Sequence, residues 1–144
     1  MILELRPAAG EPEFGDQQLA GDWAAGLPAM LAKPQNPPWC SYAARAEGRV
    51  VGFGGFKGDP DENGSVEIGY LTLIPVRGRG VAKEICAELV MIAANAGASA
   101  VIGHTLPEAN SSTAVLLQCD FKLIGEVTDQ DDGVVWRWIK RMDL

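Results

Sequence analysis

Between Ser65 and Gly97 the apolar pattern changes period once. The stretch "SVEIGYLTLI" (65 to 74) alternates and then becomes apolar on both faces from Tyr70. That is the pattern of a central strand. After Pro75, Val81, Ile85, Leu89 and Ala93 recur four residues apart, with Ala82, Cys86 and Val90 in the adjacent row. This predicts an amphipathic helix of about four turns, ending near Gly97. A central strand feeding a long one-sided helix commits the chain to a sheet layer covered by helices.

The rest of the chain fits that layering. "ILELRP" reads as a short first strand, and residues 14 to 33 as one or two short helices. "KPQNPPW" is a loop, and residues 40 to 58 read as two strands joined around Glu47-Gly48. "ASAVIGHT" is a buried strand, and "PEANSSTAVLLQCD" a capped helix. "FKLIGEV" and "VVWRWIK" flank "TDQDDG" as a terminal hairpin. The expected class is α/β (α+β): a mixed, mostly antiparallel sheet of six or seven strands with helices on both faces. With 144 residues and no linker, a single domain spanning 1–144 is expected.

Composition excludes several function classes. The formal net charge is −7, which disfavours nucleic acid and anionic membranes and mildly favours a cationic partner such as an amine. Cys40, Cys86 and Cys119 are odd in number and widely spaced, so neither a disulfide framework nor a metal site is expected. A cytoplasmic setting follows, since the N-terminus has no signal-peptide pattern and no apolar run is long enough to span a membrane.

The chemistry concentrates where the period changes. Arg77-Gly78-Arg79-Gly80 joins the strand to the helix, at free backbone N–H groups and the positive end of the macrodipole. Glycine there lets a phosphate or pyrophosphate approach the backbone; a tight turn with solvated arginines is the structural alternative. The loop fits neither GxxxxGK[ST] nor GxGxxG, because Lys83 stands where a third glycine would fall. "GFGGFKG" also fails the second pattern, at Lys57, and its glycines read as packing residues.

Arg77-Gly78-Arg79-Gly80-Val81-Ala82 resembles the R/Q-x-x-G-x-G/A loop of the GNAT superfamily of N-acetyltransferases. "GSVEIGYLTLIPVRGRGVA" resembles that family's fourth strand and motif A, and "HTLPEANSSTAVLLQCDF" its motif B. The similarity covers roughly residues 50 to 127 and is nearest to the ribosomal-protein alanine N-acetyltransferase branch. It implies acetyl-CoA as co-substrate. Gly78, Arg79, Gly80, Val81 and Ala82 would hold its pyrophosphate, with Arg77 and Lys83 beside them. Leu71, Thr72, Leu73 and Ile74 would lie along the pantetheine arm, and Asn110 would contact the same arm unless it only caps a helix.

The resemblance further implies direct attack by a primary amine in a ternary complex. An amine with a pKa near ~10 must lose its proton before or during attack. Glu67 is the candidate base, with a carboxyl raised toward neutrality by its cleft; otherwise it is a strand glutamate facing solvent or paired with an arginine. The tyrosine that many superfamily members carry in motif B is absent, since Leu116 occupies its place. Ser112 is the candidate proton donor instead, with helix capping as its alternative role.

His104, Trp23 and Trp39 are candidate substrate-lining residues, with a structural role open for His104. Cys119 reads as core within a helix. Asp120 replaces the family's usual glycine before Phe121 and bears on a helix C-cap. Trp136 and Trp138 share one strand face, opposite Arg137, as core or hairpin cover. The expected partner is a small-molecule or peptide amine, and a homodimer is admitted. The rival class is a non-catalytic acyl-CoA-binding or regulatory domain that kept the loop, and the missing tyrosine sustains it. A plain nucleotide-binding module fails on the loop spacings. The sequence does not choose among a protein N-terminus, an aminoglycoside, a polyamine and a free amino acid as acceptor.

Overall fold

The computed structural model describes residues 3–7, 36–72, 77–130 and 133–142. Within them the chain runs through β1 (Glu4–Pro7), β2 (Ser41–Ala46), β3 (Arg49–Phe56), β4 (Ser65–Thr72), α1 (Val81–Asn95), β5 (Ala100–Thr105), α2 (Ser111–Gln118), β6 (Lys122–Asp129) and β7 (Gly133–Arg141). The strands form one seven-stranded sheet in the order β1-β2-β3-β4-β5-β7-β6. All neighbours are antiparallel except β4 and β5. That exception follows from connectivity, because parallel neighbours need a crossover and α1 supplies it. The mixed, mostly antiparallel sheet agrees with the sequence reading. The helices expected over residues 14 to 33 lie outside the described residues.

Strand register assigns each residue to a face. Gly52, Gly54 and Phe56 of β3 stand opposite Thr72, Tyr70 and Ile68 of β4, and Ile68 stands beside Gly103 of β5. A Cβ on Gly52 or Gly54 would run into Ile85, and one on Gly103 would press on Leu116. Both described helices therefore cover this one face. The glycines of "GFGGFKG" are packing residues, because α1 sits directly on the β3 backbone. Val81, Ile85, Cys86, Leu89 and Ala93 of α1 are buried, as the four-residue spacing predicts. Each large aliphatic side chain buried this way contributes about 1.5–3 kcal/mol. Trp138 is buried on the same face and Trp136 packs edge-on to it, with ring centroids 6.4 Å apart.

The two helices end alike but with different residues. After α1, the N–H of Gly97 donates to Ala94 and that of Ala98 to Ala93. After α2, the N–H of Asp120 donates to Leu117 and that of Phe121 to Leu116. Both are Schellman closures, which need a left-handed residue at the turn. Gly97 takes φ 87° freely, whereas Asp120 is held at φ 67° with a Cβ. Its carboxylate lies 4.0 Å from Lys140 Nζ and is largely exposed, so that pair offsets little. Asp120→Gly should therefore stabilise the fold by about 0.5–1 kcal/mol. Chemical denaturation would read this as a higher midpoint, and an unchanged or lower midpoint would refute it. Cys119 is the C-cap residue of α2 rather than a residue of its interior, and it is only partly buried.

Candidate functional site

β4 and β5 part company part-way along. Their parallel pairing runs from Ser65↔Ala100 to Ile68↔Gly103 and stops there. Yet β4 continues to Thr72 and β5 to Thr105. The unpaired ends form a splay in mid-sheet, flanked on one face by the start of α2 and on the other by Glu67 and His104. The two faces carry different chemistry.

On the helix-covered face the loop 77–80 leads into α1. Gly78 and Gly80 take φ 82° and 79°, which L side chains rarely adopt. No described residue lies within 4 Å of where a Cβ would sit at either. Backbone conformation, rather than crowding by the described residues, demands glycine. Gly80 is the N-cap and makes no side-chain cap bond, so the first-turn N–H groups of Val81, Ala82 and Lys83 face outward without a cap. Arg77, Arg79 and Lys83 surround them, against one acidic residue, Glu84. This exposed, cationic, uncapped helix start suits a phosphate group. Arg77 also anchors the loop, its Nε donating to the Thr72 carbonyl at 3.4 Å.

The start of α2 is built in the opposite way. Asn110 accepts from the Thr113 N–H at 3.0 Å, and Thr113 Oγ1 accepts from the Asn110 N–H at 2.8 Å. This is a reciprocal capping box. The Asn110 oxygen is thus committed to the helix, leaving only its amide NH₂ for another partner. Ser112 is exposed in the first turn. Tyr70, missed in the sequence as one more apolar strand residue, reaches from β4 to donate its hydroxyl to the Ser112 carbonyl at 3.4 Å. Burial pushes the Tyr70 phenol up, so it stays a protonated donor. The Cys119 thiol donates to the Lys83 carbonyl at 3.7 Å and is no free nucleophile.

On the second face four polar residues from adjoining strands form a row. Lys57 follows β3 and pairs its N–H with the Glu67 carbonyl, Glu67 belongs to β4, His104 to β5 and Arg137 to β7. Glu67 Oε2 lies 2.8 Å from Lys57 Nζ and 3.1 Å from His104 Nδ1. The latter contact is close but not aligned as a hydrogen bond. Arg137 Nε donates to His104 Nε2 at 3.0 Å. A guanidinium has no lone pair to offer, so Nε2 must be the bare nitrogen and Nδ1 carries the proton toward Glu67.

Burial alone would raise the Glu67 carboxyl, but Lys57 and His104 outweigh it and hold the group below its ordinary value. The sequence reading expected a raised carboxyl, and the two partners correct it. Gly69 is next along this face, and among the described residues a notional Cβ there would meet only the Lys57 Cε, at 3.5 Å.

The other candidates fall as follows. Leu71 and Thr72 are on β4, and the Thr72 hydroxyl is buried without a partner. Leu73, Ile74 and Trp23 lie outside the described residues. Trp39 packs edge-on to Phe56 with centroids 5.1 Å apart, and Phe56 belongs to the helix-covered face, away from Glu67. Among the described residues, no cluster suited to a metal ion occurs and no helix is long and apolar enough to cross a membrane.

A family model described as an acetyltransferase (GNAT) domain matches residues 9–122. No curated protein matches the chain. Among solved structures, the ribosomal-protein-alanine N-acetyltransferase from Brucella melitensis is similar with a TM-score of 0.74 at 18% identity, covering 98% of this chain and 99% of that one. The microcin C7 self-immunity acetyltransferase MccE, in complex with acetyl-CoA and AMP, gives 0.67 at 17%, over 83% of this chain and 70% of that one. RimL, the ribosomal L7/L12 alpha-N-protein acetyltransferase, in complex with coenzyme A, gives 0.65 at 18% over 72% of this chain. The match covers 62% of RimL, less than two thirds of its length.

Proposed function

The chain belongs to the GNAT acetyltransferase family, and on that premise we propose that it transfers an acetyl group from acetyl-CoA to a primary amine by direct attack in a ternary complex. The uncapped N-terminus of α1 carries this reading. It offers the first-turn N–H groups to an anion, with no described residue crowding the two glycines before it. The solved structures similar in fold include several with acetyl-CoA or coenzyme A bound.

Acetyl-CoA supplies an activated thioester. Val81, Ala82 and Lys83 hold its pyrophosphate through backbone N–H groups, with Arg77 and Arg79 adding charge. Leu71 and Thr72, with Leu73 and Ile74 beyond, guide the pantetheine arm into the splay, and the Asn110 amide meets it there. Unpaired N–H groups of β4 polarise the acyl carbonyl.

The amine approaches from the second face over Gly69. Its nitrogen becomes a far stronger acid as it bonds to the acyl carbon, so even a weakly basic carboxylate accepts the proton. Glu67 takes that proton, directly or through water. The exposed Ser112 hydroxyl passes a proton to the departing sulfur while taking one from water in turn, and Tyr70 fixes the turn of α2 that bears Ser112. His104 sits against Glu67 through Nδ1 and lines the acceptor side. The chain works as one domain, in the cytoplasm, where its three free cysteines stay reduced, alone or as a homodimer.

The purified protein should be stabilised by acetyl-CoA in a thermal shift assay but not by ATP or NAD. It should release thiol from acetyl-CoA with at least one member of an amine panel. Stabilisation without thiol release would favour a binding domain, and neither response would defeat the proposal.

A further inference from the structure

We infer that the acceptor amine carries a carboxylate, and that Arg137 holds it. This deepens the proposed acetyl transfer and rests on it. The reason is a charge left over in the polar row. Lys57 and Arg137 are cationic, Glu67 is the single carboxylate, and His104 meets Arg137 only as a hydrogen-bond acceptor through Nε2. Lys57 takes Glu67, which leaves Arg137 without an acidic partner among the described residues.

Arg137 is half-buried and spends one of its five N–H donors on His104 Nε2. Among the described residues no ion pair engages its terminal nitrogens. A partly desolvated guanidinium with a free fork matches a carboxylate in shape and charge. The described residues also leave room beside it. Its neighbour on β6 is Gly125, at φ 142°, where a Cβ would meet no described residue within 4 Å. Arg137 stands one strand from the splay, on the face where the amine meets Glu67. The same molecule can thus place its amine at Glu67 and its carboxylate at Arg137, with His104 between.

The net charge of −7 argues for a cationic acceptor only at long range. Exposed charges beyond about 8 Å are largely screened at physiological salt. A direct guanidinium–carboxylate contact is not, so the local charge decides what docks.

The carboxylate has two sources: the α-carboxylate of a free amino acid, or an acidic side chain beside a peptide's N-terminus. The experiment has an arm for each. Amino acids are compared with their carboxamides, and tetrapeptide amides with aspartate in the second position are compared with their asparagine counterparts. In at least one arm the carboxylated member should be favoured about tenfold or more in kcat/KM. Arg137→Gln should raise KM far more for that member than for the neutral one and erase the preference, while any loss of kcat through His104 falls on both members alike. Arg137→Lys should restore part of it.

Equal rates within every pair, or equal losses for both members in Arg137→Gln, would overturn the inference and leave acetyl transfer standing. If no amine releases thiol, the transfer reading falls instead. Calorimetric binding of the same pairs to the protein with acetyl-CoA present then still decides the carboxylate site: a preference that Arg137→Gln removes sustains it, and no preference ends it.

Discussion

Glu67→Gln is expected to lower kcat/KM for acetyl transfer by about 10²–10³-fold, within the range for loss of a positioned general base. The KM for acetyl-CoA should barely move, because Glu67 lies on the opposite face from the α1 loop. The pH profile separates this role from that of a carboxyl tuned to neutrality. Lys57 and His104 hold Glu67 below its ordinary value of 4.5, so it is ionised wherever the enzyme is assayed. The rate should then rise between about pH 6 and 9 only as the amine deprotonates, with no second limb from the protein. The variant should keep the same shape at a lower level. A second limb near neutrality that Gln abolishes would mean that the carboxyl is raised when substrates bind. An unchanged rate across the range would remove Glu67 from the mechanism.

The same depressed carboxyl bears on stability, with a definite sign. A group whose folded pKa lies below its unfolded value contributes stability above the unfolded value and loses it as pH falls through the folded one. The stability that Glu67 gains from Lys57 and His104 should therefore be intact at neutral pH and vanish below the ordinary glutamate value of 4.5. Acid titration of the wild type and Glu67→Gln should show the gap between them closing below that value.

What the sequence reveals about this molecule is set by the range of the interaction concerned. β4 and α1 are legible because a change of period is local, and Gly97 ends α1 because the left-handed turn lies in the next two residues. The loop 77–80 is legible for the same reason. The setting of Glu67 is not, since Lys57 comes from the end of β3 and His104 from β5. Only the register of three strands brings them together. That register, rather than the carboxyl's own strand, turns the expected upward shift into a downward one.

Arg137 and His104 are 33 residues apart in the chain and meet only because β7 inserts between β5 and β6. Tyr70 looked like one more apolar strand residue, because nothing nearby in sequence says that its hydroxyl crosses the splay to α2. Asn110 shows the converse: the capping signal was local, and the structure uses it.

Substitutions at Gly80 are expected to have the other large effect, on acetyl-CoA binding, and a pair of them isolates the cause. Gly80→Ala and Gly80→Trp both force an L side chain into φ 79°, at a similar cost of about 1–2 kcal/mol to the fold. Both should lower Tm by comparable amounts. They differ in what they place before the helix start. An alanine methyl meets no described residue within 4 Å and intrudes little. An indole covers the N–H groups of the first turn.

If those groups hold a pyrophosphate, the Trp variant loses at least two charge-assisted hydrogen bonds worth about 1.5 kcal/mol each. That corresponds to about a hundredfold in Kd, whereas the Ala variant should stay within about tenfold of wild type. Calorimetry with acetyl-CoA reads the affinities and thermal denaturation reads the strain. An affinity loss that merely follows Tm would assign the glycine to folding alone. An indole that leaves acetyl-CoA affinity intact would place the anion elsewhere. A loss confined to the Trp variant would leave the backbone of the helix start as the binding surface, with Arg77 and Arg79 as its electrostatic surround.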